Sequence, residues 1–200
     1  VQLDDTITVA ISSLASTLPT TDFSPELLDA VRRAYRPGVG MAQAFGAWLE
    51  SLLGPRGLVV FDASDKTAKP LVSGVFAREI EHAGDTARLA AAAGVTLAER
   101  GYHAQVTPQE GHAALFHLGG GRESIRLQGD QFMIGQSLSS REATLERVRT
   151  QPAEFSPNVL LRPVVQDTLF PTCCFVAGPN ELGYLAQLRD IYAAFDVPMP

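Results

Sequence analysis

The chain has 200 residues, 46% of them apolar, and a formal net charge of -6, enough for one ordinary domain, or a domain and a small one, with a real core. Its pI near 5.2 and the lack of a clustered basic excess exclude the usual footprint of a nucleic-acid binder. It contains no apolar run of about 18 residues, and VQLDDTITVA at its start has no basic-then-apolar order, so neither a membrane span nor a secretory leader is indicated and the cytoplasm is the expected compartment.

From the start, Ile7, Ile11, Leu14 and Leu18 mark one face of a helix over 4–18, stopped by Pro19. Ser24-Pro25-Glu26 opens a second helix that runs toward Pro37, an N-cap followed by proline at the first helical position. A third, over 41–53, sets Met41, Ala44, Phe45, Trp48, Leu49 and Leu52 on one face, which predicts core packing for Phe45 and Trp48. GLVVFD, 57–62, is a continuous apolar run bounded by Gly57 and an Asp62-Ser64-Asp65 cluster, and reads as a buried parallel strand. Asp62 at its end is a turn or cap residue more often than a ligand. Asp65 is expected to cap a helix carrying Leu71, Val72, Val75, Phe76 and Ile80.

The alanine-rich stretch 85–100 predicts a helix closed by Gly101. The period then changes to two. YHAQVT, AALFHL, ESIRLQ and QFMIG read as four strands of an antiparallel meander, punctuated by Pro108, Gly119 to Gly121, and Gly129-Asp130. A helix follows with Ser139 or Ser140 as N-cap and Glu142 as part of a capping box, ending near Gln151-Pro152. The remainder gives a polar helix from Pro163, the strand-like run TCCFVA, and GPNE opening an amphipathic helix. The expected class is α/β: a Rossmann-like core portion with an inserted antiparallel β module and flanking helices. The expected divisions are 1–101, the first core strand with its helices; 102–151, the connecting module; and 152–200, a second strand-turn-helix unit.

Strand ends that feed helix N-termini are where α/β proteins usually hold ligands. Around the last such turn, Arg162 and Gln166 are four apart on one helix face with Asp167 beside them. Groups so polar form a structural network or meet a polar ligand, and spacing does not choose between the two. In GPNE, Pro179 suits the first helical position and Glu181 favours the positive helix end; alternatively Gly178 admits a substrate to the backbone and Glu181 contacts an amine. The glycine triplet 119–121 lies between strands and is a hairpin, not a phosphate loop. Cys173 and Cys174 adjoin in one predicted strand and point to opposite faces, which disfavours a disulfide and fits a reducing compartment. Neither they nor His82, His103, His112 and His117 have metal-site spacing, so no metal is expected.

The run SPNVLLRPVVQDTLFPT, then GPNE where GPGE is more usual, then YLAQ at 184–187 and the closing FDVPMP resemble the bacillithiol biosynthesis cysteine-adding enzymes, the BshC family. GLVVFDASD, GYHAQV and YRPGVGMAQAF resemble it in the same order, more weakly toward residue 1. The resemblance implies a ligase that forms the amide between cysteine and glucosaminyl malate, with a nucleotide, ATP or ADP, as the expected activator. It implies catalytic roles for Arg162, Asp167 and Glu181, and substrate contacts from Asn158, Gln166, Gly178, Asn180, Tyr184 and Gln187. Cysteine and glucosaminyl malate are then the partners, without nucleic acid or membrane. Because the family extends further both ways, the chain reads as an internal piece, expected to be inactive alone and prone to self-association. The competing expectation is a non-catalytic connecting module of a larger α/β protein.

Overall fold

A computed structural model describes residues 1–200 and divides them into two compact units, Val1–Asp65 and Lys66–Pro200. No helix is long and apolar enough to cross a membrane.

The first unit contains α1 (Thr6–Thr17), α2 (Ser24–Ala34) and α3 (Met41–Leu53). The Asp4 carboxylate accepts the Thr6 N–H at 3.0 Å ahead of α1, and α3 ends in a 3-10 turn at Gly54–Arg56 closed by Gly57 at φ 91°. The N-terminal residues pair with the α2–α3 turn through Leu3 N–H to Val39 O and Gly38 N–H to Leu3 O. Burial is sparse: Leu3, Ile11, Ala30 and Ala44 are the buried apolar residues of this unit. Of the expected core face of α3, Ala44 is fully buried and Trp48 half-buried with its indole N–H unpaired, whereas Met41 and Phe45 are exposed, so the face is buried only in part. GLVVFD forms no regular element and joins no ladder, and Val59 is 79% exposed. Its composition suits a strand, yet this unit offers it no neighbouring strand, and strand character is a property of the pair. Asp62 takes the Ser64 N–H and hydroxyl at 2.8 and 2.7 Å, and these bonds hold its carboxyl below the usual range. It is a turn residue.

The second unit is built on a five-stranded, wholly antiparallel sheet in the order β4-β3-β2-β1-β5: β1 (His112–His117), β2 (Glu123–Gln128), β3 (Gln131–Ile134), β4 (Ser137–Ser140) and β5 (Phe155–Pro157). Phe116 faces Ser124 on one side and Ser156 on the other, and Met133 stands between Arg126 and Leu138. Gly129 and Gly135, both at φ near 60°, make the tight turns flanking β3. Against the sheet pack α4 (Ser73–Glu81), α5 (Asp85–Glu99) and α6 (Arg141–Thr150), followed by α7 (Arg162–Leu169), α8 (Pro179–Ala186) and α9 (Arg189–Phe195). Phe76, Ile80, Ile125, Phe132, Phe155 and Leu161 are among the fully buried side chains of one continuous core.

The meander stands at AALFHL, ESIRLQ and QFMI. YHAQVT is not its first strand: 102–107 is loop, because Gln187 captures its backbone. The helix after Asp65 begins instead as a 3-10 turn at Lys69–Val72 and becomes α4 at Ser73. Ser140 caps α6, its hydroxyl accepting the Ala143 N–H at 3.1 Å; Glu142 takes no part in that cap. TCCFVA forms no strand, with Val176 98% exposed and both cysteines exposed. The buried-strand reading of this run fails for the same reason as that of GLVVFD: no strand lies alongside.

Candidate functional site

The polar groups singled out in the sequence lie on α7, α8 and the turn leading into each. Asn158 opens the turn between β5 and α7. Its side-chain oxygen accepts the Leu160 and Leu161 N–H groups at 2.9 and 3.2 Å, while its carbonyl accepts the Arg162 N–H. The turn leading into α7 is thereby held by one side chain. Pro163 then fixes the first turn, Val164 and Val165 go into the core, and Arg162, Gln166 and Asp167 are left on the outer side.

Arg162 is exposed, and its guanidinium donates to the Gln166 side-chain oxygen at 3.3 Å. Asp167 is half-buried and held at both oxygens: the Thr172 hydroxyl donates to one at 2.7 Å and the Tyr192 hydroxyl to the other at 2.5 Å. Burial and then the Asp167 carboxylate push the Tyr192 phenol far above its ordinary pKa, so it stays a donor. Tyr184, raised by burial with Arg162 opposing, donates to the Val159 carbonyl. Arg162, Gln166, Asp167, Tyr184 and Tyr192 thus share one neighbourhood, in which Arg162 has donors to spare and each Asp167 oxygen keeps a second lone pair.

The GPNE turn is a separate cluster. Glu181 reaches back to accept the Gly178 N–H at 3.0 Å, a capping-box contact, and Asn180 is exposed. No hydrogen bond joins Gly178, Asn180 or Glu181 to the Arg162 group. With the Glu181 carboxylate on the Gly178 N–H, the α8 N-terminus does not fit a nucleotide phosphate. Gln187 is fully buried: its oxygen accepts the Gln105 and Val106 N–H groups at 2.8 and 2.9 Å, and its NH2 donates to the Val106 and Ala90 carbonyls. All four of its hydrogen-bonding positions are engaged by backbone, leaving none for a substrate.

Several buried ionisable groups have no signal in the sequence. Glu79 is 1% exposed on α4, accepts the Ala114 N–H at 2.6 Å and the Thr86 hydroxyl at 2.5 Å, and is pushed up to about 7 by burial against those bonds. Lys69 is buried, its amine 5.9 Å from the Phe76 ring centre, and burial lowers its pKa. His117, also buried, lies 3.0 Å from Glu123 and 3.5 Å from Glu154. Burial raises the Glu154 carboxyl, but hydrogen bonding and charge from Arg147 outweigh that and hold it low. Only tertiary packing creates these environments. No group of three or more His, Cys, Asp or Glu side chains comes together to hold a metal ion.

An α/β domain with a polar helix face of this kind is the setting in which known proteins become informative. Residues 1–200 match the family described as bacillithiol biosynthesis BshC, N-terminal Rossmann-like domain. Proteins named "Putative cysteine ligase BshC" are 38% identical in Salinibacter ruber, over 98% of this chain and 37% of the relative, and 33% identical in Chlorobaculum tepidum, over 100% and 36%. The Koribacter versatilis relative is 38% identical over 83% of this chain and 31% of its own length. The chain belongs to the BshC family and is of its Rossmann-like α/β class. It spans about a third of the length of these relatives.

Proposed function

We propose that this chain is the Rossmann-like part of a ligase that joins the carboxyl of cysteine to the amino group of glucosaminyl malate, forming an amide in bacillithiol biosynthesis. The family match over the whole chain carries the reading. An amide forms when the amine nitrogen attacks an activated carboxyl carbon and the activating group leaves with the carboxyl oxygen. A nucleotide as activator follows from the family likeness. What these residues supply is binding. Arg162, exposed with free donors, clamps a malate-type carboxylate bidentately, which its planar fork does and an ammonium does not. Asp167, oriented by Thr172 and Tyr192, takes a substrate ammonium with its remaining lone pairs. Glu181, with one oxygen on the Gly178 N–H, offers the other to an amine, and Gln166, Tyr184, Asn158 and Asn180 shape the surroundings.

The reading is tested by incubating the intact ligase with cysteine, glucosaminyl malate and ATP and following the amide product by mass spectrometry. Product that depends on all three supports it; no product at any nucleotide concentration contradicts it. The 200-residue chain alone is expected to make little or none, and to self-associate through apolar side chains such as Phe23 and Val59 that it leaves exposed.

A further inference from the structure

The second unit holds a cavity of about 440 Å³ between β1, β2, the 106–109 loop and the α7 approach, which none of the roles above uses except through Asn158. Its lining is mostly apolar and includes Ala114, Phe116 and Leu160, of which Ala114 and Leu160 are nearly fully buried. Its rim carries Arg122, Ser124, His112 and Asn158. In a chain of net charge -6, no Asp or Glu lines it.

Strand alternation produces that selectivity. Successive side chains on β2 point to opposite faces, so Glu123 turns away to His117, at 3.0 Å, while Ser124 stands on the cavity side opposite Phe116. Arg122 is held at the rim, its guanidinium 4.1 Å from the Phe116 ring centre and donating to the Pro157 carbonyl at 3.4 Å. That leaves most of its fork unpaired. The Asn158 oxygen is spent on α7, so its NH2 is the part left to donate. Fixed donors, a cation stacked on an aromatic ring and a mostly apolar lining make the usual composition of a small-molecule pocket.

The geometry points to a binding site for a small organic carboxylate whose anionic end meets Arg122 and whose apolar body lies against Ala114 and Leu160. The site shares only Asn158 with the ligase reading, and its anionic contact, Arg122, has no part in that reading.

The test is a titration of the full chain with benzoate and with benzyl alcohol, the same ring without the charge, following backbone amide resonances. Benzoate is expected to shift the Ala114, Leu115, Phe116 and Ser124 amides saturably, and benzyl alcohol to bind about tenfold more weakly or worse, the scale of a charge-assisted hydrogen bond. Arg122→Gln, at an exposed position, is expected to weaken benzoate by about tenfold while leaving the rest of the spectrum in place. Absence of saturable shifts, equal binding of the two probes, or unaltered benzoate affinity in Arg122→Gln would each overturn the proposal.

Discussion

Residues 1–65 and 66–200 carry equally clear helical periodicity, yet they end in different states. In the first unit three helices form with boundaries close to those expected, and Leu3, Ile11, Ala30 and Ala44 are the apolar residues they bury. In the second, helices pack on a sheet whose apolar face continues across Ile125, Phe132 and Phe155, and a core closes. A helix period identifies the face that can be buried; whether it is buried depends on a second surface of matching extent. Phe23 at 72% exposure and Phe132 at 0% are chemically the same residue on the two sides of that difference.

The contrast can be broken most directly at those two phenylalanines. Phe132→Ala is expected to destabilise the second unit by about 3–5 kcal/mol in urea unfolding, and Phe23→Ala to change stability by less than about 0.5 kcal/mol. Similar losses would mean that the first unit has a core of its own.

Glu79 sharpens it with pH. Its folded-state pKa is raised from 4.5 to about 7, so its contribution is fully present below pH 4.5 and is lost as pH rises through 7. At about 1.4 kcal/mol per unit the loss approaches about 3 kcal/mol. The urea midpoint should fall between pH 4.5 and 7, and Glu79→Gln should remove most of the slope. A slope equal in both proteins would reject the assignment.

Gln187→Ala comes next, at about 2–3 kcal/mol, because it strands buried backbone groups of the 105–106 loop and of α5. Hydrogen exchange at the Gln105 and Val106 amides should accelerate before that of the sheet. Unaltered exchange would show that the loop is held by something else.

What was legible in the sequence was what is decided locally. Met41–Leu53 and Asp85–Glu99 follow from spacing and from flanking glycines, and three strands of the meander follow from alternation between turn residues. GLVVFD and TCCFVA have strand composition but no neighbour, and a ladder is not a local property. YHAQVT alternates as a strand should, but a side chain 81 residues further along takes the Val106 N–H. SLSS and FSP lack an apolar pattern and become strands only because β3 and β1 present free edges to them. At the site, the Arg162–Gln166 contact is visible at a spacing of four, whereas the Tyr192 hydroxyl meets Asp167 across 25 residues and no pattern announces it.

On the outer face of α7, Arg162 has donors to spare while its neighbours are anchored to the protein. Arg162→Lys in the full-length protein keeps the charge but removes the fork. It is predicted to raise KM for glucosaminyl malate by about tenfold or more, about 1.4 kcal/mol of lost binding, at an unchanged Tm. An unchanged KM with full turnover would contradict it.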